Sequence, residues 1–347
     1  MNVIEIEGLV KKYGDNIAVD HLDLAIEKGK VYGFLGPNGA GKSTTMNIIT
    51  GYIGASEGTV KICGHDIFKE AEKAKKCVGY LPEMPPLYQE MTVREYLNFV
   101  AELKQIPKKD REHNLEEVLE KTKTTQVADR LIRNLSKGYK QRVGIAQALI
   151  GMPEAIILDE PTVGLDPKQI IEIRKLIREL GEEHTVILSS HILSEISEVC
   201  DYIYIISRGQ LVAEGSESQL VDKMAGKNVL NVTIKAEEEK KMDNVLEKHT
   251  EKKDDEVHVS IISDRNVDLR ERVFFLCADE RIPILKMDFV QKTLEDVFIE
   301  LTKEYQAPEK KKRRLSKKEK AKKETEEDNL KENREDENNV QEEEKSC

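Results

Sequence analysis

Apolar and polar residues alternate in residues 3–7 (Val-Ile-Glu-Ile-Glu), residues 22–27 (Leu-Asp-Leu-Ala-Ile-Glu) and residues 59–62 (Thr-Val-Lys-Ile). This period of two predicts half-buried antiparallel strands. Fully apolar runs follow a different logic. Residues 31–35, 78–81, 155–158 and the Val-Ile-Leu centre of 185–190 are short and rich in apolar side chains, the last two stopping at Asp159 and at Ser189-Ser190, as strands buried on both faces do. Tyr202–Ile206 and Gln210–Ala213, joined across Arg208-Gly209, read as a closing hairpin.

Helical spacing takes over elsewhere. The stretch from Ser43 to Thr50 reads as a helix with Met46 and Ile49 on one face and Gly51 at its C-terminal end. Two adjacent prolines, Pro85 and Pro86, exclude helix just before Met91. Thr92 with Glu95 forms a capping box, and Val93, Leu97, Val100 and Leu103 predict one buried stripe. Leu115, Val118 and Leu119 mark another helix, so residues from about 90 to 150 read as a helical insertion. Asp166 before Pro167 is an N-cap followed by proline at N1, and the helix to Gly181 is predicted to bury Ile170, Ile173, Leu176, Ile177 and Leu180.

After residue 225 the pattern restarts. Val229–Ile234, Val257–Ile262 and Ile282–Phe289 read as strands; Glu237–Lys248, Asp268–Ala278 and Thr293–Tyr305 read as helices. This predicts a small α+β domain over 226–305 with no recognisable chemistry. From Ala307 a basic block, Lys310 to Lys323, gives way to an acidic block ending at Glu344. With almost no apolar residues this stretch, 306–347, is expected to be a disordered charged tail. Its bland role is solvation; its sharper one is contact of the basic block with anionic lipid.

Composition narrows the function classes. A net charge of −11 over 347 residues disfavours sequence-independent nucleic-acid binding by the whole chain. Cys63, Cys77, Cys200, Cys277 and Cys347 show no C-x-x-C spacing, and the seven histidines form no metal-ligand cluster. Neither a membrane-length apolar run nor a signal-type segment appears, so the chain reads as soluble and cytoplasmic.

Chemistry is concentrated at Gly36-Pro37-Asn38-Gly39-Ala40-Gly41-Lys42-Ser43-Thr44, which fits G-x-x-x-x-G-K-[ST]. Glycines let backbone N–H groups wrap phosphate oxygens, Lys42 reaches β- and γ-phosphates, and the Ser43 hydroxyl can ligate Mg²⁺. Strand before and helix after give the loop its required context, and the helix N-terminus favours the same anion. A second carboxylate-bearing strand end is Ala155–Leu158 running into Asp159 and Glu160. There Asp159 would hold Mg²⁺ through water, and Glu160 would orient the attacking water. His191 ends the strand 185–190, where ligands gather in parallel α/β sheets. Tyr13, in a turn, is placed to stack on a base, although turn tyrosines more often simply pack.

Leu135-Ser136-Lys137-Gly138-Tyr139-Lys140-Gln141-Arg142 resembles the signature loop of ATP-binding cassette (ABC) ATPases, with Lys137 and Tyr139 in place of the commonest Gly and Gln. Ser136 and Gly138 are kept. In order along residues 1–220, Tyr13 matches the adenine-stacking position and Gly36–Ser43 the Walker A loop. Asp159 and Glu160 match Walker B and the catalytic base, Gly164-Leu165-Asp166 the D-loop, and His191 the switch histidine. The resemblance implies a P-loop NTPase fold: a RecA-like parallel-sheet core with an antiparallel β subdomain and a helical subdomain. It also implies ATP and Mg²⁺ as cofactors.

Glu83 stands where the family normally has glutamine; it can still ligate Mg²⁺ or water. Glu83 and Thr293-Leu294-Glu295-Asp296-Val297-Phe298 resemble the ABC-2-type exporter subgroup. The resemblance further implies ATP bound between two cassettes, homodimeric or heterodimeric, with Ser136 and Gly138 acting on the opposite nucleotide. A separate membrane permease would anchor the subunit at the cytoplasmic face, contacted by the segment around Glu83–Tyr96. The competing class is a soluble ABC ATPase acting on ribosomes or DNA. A third class, a P-loop GTPase or small-molecule kinase, lacks support, because the sequence holds no Asn-Lys-x-Asp base-reading motif and the Ser136 loop would have no purpose there.

Overall fold

The computed structural model describes residues 2–224, 228–235, 248–253, 256–263, 269–290 and 293–304. The chain forms two compact units, residues 1–299 and 300–347; of the second, only 300–304 fall among the described residues. The predicted tail of 306–347 and the helix expected over Glu237–Lys248, apart from Lys248 itself, lie outside them.

An antiparallel sheet opens the chain. Strands β1 (Asn2–Tyr13), β2 (Asn16–Glu27), β4 (Glu57–Ile62) and β5 (His65–Asp66) lie in the order β2-β1-β4-β5. The alternating residues behave as expected. Ile4, Ile6, Leu22, Leu24, Ile26, Val60 and Ile62 are buried, and they join Phe34, Met46, Ile49 and Tyr204 in one core.

The second sheet carries the chemistry. It is built from β3 (Val31–Leu35), β6 (Val78–Leu81), β7 (Ala155–Asp159), β8 (Thr185–Ser190), β9 (Tyr202–Ser207) and β10 (Gln210–Gly215), in the order β10-β9-β3-β8-β7-β6. Only the β9–β10 hairpin is antiparallel; every other pair is parallel. Strands β3, β7 and β8 are buried at every position, which explains the apolar runs Val31–Leu35, Ala155–Leu158 and Val186–Leu188 within them. Helix α1 (Lys42–Ile49) follows β3 directly and ends at Thr50, with Gly51 just beyond in a left-handed conformation (φ 68°). Helix α2 (Ala71–Lys76) leads into β6.

Between β6 and β7 lie three α-helices, α3 (Val93–Leu103), α4 (Lys108–Lys121) and α5 (Lys137–Leu149), with two 3₁₀ turns (Thr125–Val127 and Ile132–Asn134) before the last. Thr92 and Glu95 form the reciprocal capping box at the start of α3. Val93, Leu97 and Val100 are buried, but Leu103, expected on the same stripe, is exposed in the last turn. Leu115, Val118 and Leu119 of α4 are fully buried. Helix α6 (Pro167–Gly181) begins at Asp166, whose carboxylate accepts the Gln169 N–H at 2.9 Å. Ile173, Leu176, Ile177 and Leu180 face the core, whereas Ile170 is only half-buried. Helices α7 (Leu193–Val199) and α8 (Glu217–Met224) follow β8 and β10.

The C-terminal part adds an antiparallel sheet of β11 (Asn228–Lys235), β12 (Lys248–Lys253), β13 (Glu256–Ser263) and β14 (Ile284–Val290), ordered β12-β13-β11-β14. Helix α9 (Arg270–Asp279) packs Val273 and Cys277 against Val232, Val259 and Ile261 in a separate core. Thr293 and Asp296 bond reciprocally at the start of helix α10 (Leu294–Glu304).

Candidate functional site

Parallel pairing brings the ends of three strands to one level. Leu35 of β3 pairs with Ser190 of β8, and Asp159 of β7 pairs with Ser189. The loop after β3, the carboxylates after β7 and the histidine after β8 therefore meet at the carboxyl edge of the sheet.

The loop conformation depends on two close approaches. Gly41 is the N-cap of α1 with φ 106°, and a Cβ there would lie 2.5 Å from the Ala18 carbonyl oxygen. At Gly36 a Cβ would lie 2.3 Å from the Ile206 carbonyl oxygen. Both contacts are with backbone, so the loop is threaded against β2 and β9 where only glycine fits. The Lys42 ammonium, almost fully buried, donates to Gly36 O at 2.8 Å and lies 3.6 Å from Glu160 Oε1. Ser43 Oγ donates to Asp159 Oδ1 at 3.3 Å.

Asp159 and Glu160 point different ways because the chain turns between them. Glu160 has φ 49°, an uncommon conformation for a residue with a Cβ. Ser189 holds it there: the Glu160 N–H is shared by Ser189 O at 3.2 Å and Ser189 Oγ at 3.0 Å. Ser189 Oγ in turn donates to Asp159 Oδ1. Glu160 Oε2 accepts from His191 Nδ1 at 2.9 Å, leaving Nε2 as the ring's second polar atom. The Lys42 ammonium, the Glu160 carboxylate and the His191 imidazole thus lie in one connected series, with Ser43 and Asp159 beside it.

Glu83 shares with Ser43 and Asp159 a groove of about 830 Å³ that also includes Asn47, Tyr52, Tyr80, Met84, Lys104 and Gln147. The Tyr80 hydroxyl donates to Asn47 Oδ1 at 3.1 Å, and burial, reinforced by the negative charges of Asp159 and Glu83, pushes its pKa well above the ordinary tyrosine value. Burial pulls the Lys104 ammonium down to about 8 while it donates to the Ala148 and Ile150 carbonyls. Hydroxyl and carboxylate oxygens at Ser43, Asp159 and Glu83 are the hard donors Mg²⁺ takes alongside phosphate oxygens and water. Among the described residues no group of three or more His, Cys, Asp or Glu is arranged to hold a metal by itself.

Two sequence-predicted parts stand apart. Tyr13, the last residue of β1, is half-exposed, with the Lys11 ammonium 5.1 Å from its ring centre. Its hairpin partner β2 is the strand that touches the phosphate loop at Ala18. Ser136 caps α5, accepting the Tyr139 N–H at 3.4 Å, and with Gly138, Arg142, Asp166 and Gln169 lines a different groove of about 610 Å³. Gly138 is pressed against α6, since a Cβ there would lie 2.8 Å from Gln169 Cδ. Tyr80, Asn47, Thr162, Ser189 and Glu195 were not singled out from sequence. Their partners are 29–33 residues away in the chain, except that Glu195 also bonds Ser190, five residues before it.

Comparisons with known proteins decide the class. The ABC transporter family profile matches residues 19–163. The bacitracin transport ATP-binding protein BcrA of Bacillus licheniformis is 36% identical over 305 residues, covering 86% of this chain and 97% of that protein. The chain belongs to the ATP-binding subunits of ABC transporters. The linearmycin resistance ATP-binding protein LnrL of Bacillus subtilis is 35% identical, with 67% of this chain and 75% of LnrL covered. A Nod factor export ATP-binding protein of Cupriavidus metallidurans is 34% identical, with coverages of 66% and 76%. Among solved structures, an ATP-binding subunit of an ABC transporter matches with TM-score 0.58 and 28% identity, over 64% of this chain and 92% of that one. A dimeric cassette bound to ADP and phosphate matches with TM-score 0.55 and 26% identity, over 61% and 98%. This subunit binds and hydrolyses ATP and couples that energy to transport. No helix among the described residues is long and apolar enough to cross a membrane.

Proposed function

We propose that this ABC subunit works as a nucleotide-sandwich dimer on a separate membrane permease of the ABC-2 exporter type. The observation that carries the reading is the division of the site. Lys42, Ser43, Asp159, Glu160 and His191 converge at one strand edge, while Ser136 and Gly138 line another groove. A cassette dimer closes the second group over the first group's nucleotide, and the dimeric relative bound to ADP and phosphate supports that arrangement.

In this reading the backbone N–H groups of residues 36–44 and the Lys42 ammonium bind the β- and γ-phosphates, and Tyr13 stacks on the adenine. Ser43, Asp159 and Glu83 are the residues that would hold Mg²⁺, which supplies neutralisation of phosphate charge when bound. Glu160 orients the attacking water and accepts its proton at a carboxylate oxygen, and His191, oriented by Glu160, faces the γ-phosphate. Residues 1–220 form the cassette, with the helical subdomain at about 90–150. Residues 226–305 form an accessory domain, and the basic block of 306–347 contacts anionic lipid. The subunit then sits on the cytoplasmic face of the membrane, held by the permease. Export is supported by relatives named for linearmycin resistance and Nod factor export.

The test is a pull-down of tagged protein from detergent-solubilised membranes of its own source. A multi-span membrane protein recovered in near-equal amount is expected; ribosomal proteins or DNA instead would overturn the transporter assignment. Removing residues 310–323 should reduce binding to anionic liposomes, and unchanged binding would remove the lipid contact from the proposal.

A further inference from the structure

Glu195 is a buried carboxylate, 2% exposed, in the first turn of α7. It forms no ion pair with any described residue. Its Oε2 accepts two hydroxyls, Thr162 Oγ1 at 2.7 Å and Ser190 Oγ at 2.8 Å, both themselves buried. Thr162 lies two residues after Glu160, and Ser190 immediately precedes His191. One oxygen atom therefore ties together the two segments that carry the groups meeting at 2.9 Å.

The clamp on the histidine is double. Ser190 Oγ donates to Glu195 and accepts the Ile192 N–H at 3.0 Å, so the residues on both sides of His191 are fixed through one hydroxyl. Burying a carboxylate without a cation is costly, and an aliphatic side chain would fill the same space at less cost. Two convergent hydroxyls and the positive end of a helix offset that cost, but only with Thr162 and Ser190 in place. Because both bonds end on one buried oxygen, the arrangement that brings Thr162 and Ser190 together is favoured over alternatives that leave a hydroxyl or that acceptor unpaired.

We propose that Glu195 is a positioning residue for ATP hydrolysis, holding Glu160 and His191 in mutual register through Thr162 and Ser190 while touching neither nucleotide nor water. This rests on the assignment of Glu160 and His191 proposed above. Because both hydroxyls converge on a single oxygen, a carboxamide oxygen can replace it, so the geometric role and a purely electrostatic one separate.

The experiment measures steady-state ATP turnover and ATP binding to the full chain for Glu195→Gln, Glu195→Leu and the double variant Thr162→Val with Ser190→Ala. Glu195→Gln should stay within about threefold of the parent, because one neutral acceptor still serves both hydroxyls. Glu195→Leu and the double variant should lose turnover by roughly 10- to 100-fold, the scale of misplaced reacting groups, with ATP affinity unchanged. Turnover in the Leu variant equal to the parent overturns the proposal. So does a parallel loss of ATP affinity and thermal stability, which marks a merely structural side chain. If Glu195→Leu does not fold, the double variant decides by the same criteria. Glu160→Gln serves as the control: if it retains turnover, the catalytic assignment and this inference fall together. If it is inactive while Glu195→Leu is unaffected, only this inference falls.

Discussion

Replacing Glu160 by glutamine keeps the shape of the side chain and removes its charge, and two effects of opposite sign follow. In this structure Lys42 and Glu160 are 3.6 Å apart and both nearly buried. At an effective dielectric of about 20 such a pair attracts by about 4.6 kcal/mol before desolvation is counted. Desolvation cancels most of that, so a net of about 1 kcal/mol holds the ammonium toward the carboxylate and away from phosphate. Glu160→Gln releases it and also removes a negative charge beside the triphosphate, so ATP binding should be unchanged or tighter by about fivefold. Turnover should fall by roughly 10²- to 10⁴-fold, the usual contribution of a general base. With ATP bound and hydrolysis stopped, the variant should accumulate as a dimer. Isothermal titration, phosphate release and size exclusion with ATP against ADP measure the three quantities. Turnover within tenfold of the parent would refute the role of Glu160, and weaker ATP binding would refute the charge argument.

Lys42→Ala removes a charge-assisted donor to phosphate and leaves the Glu160 carboxylate without its cation, so ATP affinity should fall by roughly 10- to 100-fold in equilibrium binding. Gly36→Ala forces a methyl against the Ile206 carbonyl, where a Cβ would lie 2.3 Å away; separating β3 from β9 should cost about 1–3 kcal/mol in urea unfolding. Glu95 accepts the Thr92 N–H and hydroxyl, which holds its carboxyl below the ordinary 4.5. Its contribution to stability is present above pH 4.5 and is lost as pH falls through the lowered value. The stability deficit of Glu95→Gln should accordingly be visible at pH 6 and shrink below pH 4.5 in denaturant titrations.

Much of this was legible in the chain because the signals are local. The phosphate loop, the capping boxes at Thr92 and Thr293 and the Asp166-Pro167 helix start each depend on residues within a few positions of one another. Periodicity failed where helix and neighbour part company: Leu103 continues the stripe of α3, but its turn is solvent-exposed, and Ile170 sits too near the start of α6 to be fully covered. Sheet order was not legible at all, since β3 lies between β9 and β8, strands more than 140 residues away. The layer behind the candidate site was hidden for the same reason. Ser189, Thr162 and Glu195 are ordinary residues in sequence, and their roles exist only once β7 and β8 are side by side.

That pairing raises a question of register which the apolar pattern does not answer. Strands β7 and β8 are buried on both faces, so a slip of one residue exchanges one apolar environment for another and changes burial little. Such a slip would nonetheless separate Asp159 from Ser43 and Glu160 from His191. Polar residues at the strand ends supply the missing discrimination. Asp159 accepts from Ser189, Glu160 N–H is shared by Ser189 O and Oγ, and Thr162 reaches Ser190 through Glu195. Each bond lies in a buried setting, where leaving a donor or acceptor unpaired costs about 1–3 kcal/mol. A slipped register would break several at once, so the groups that aim the candidate catalytic residues are also those that make the aligned sheet the stable one.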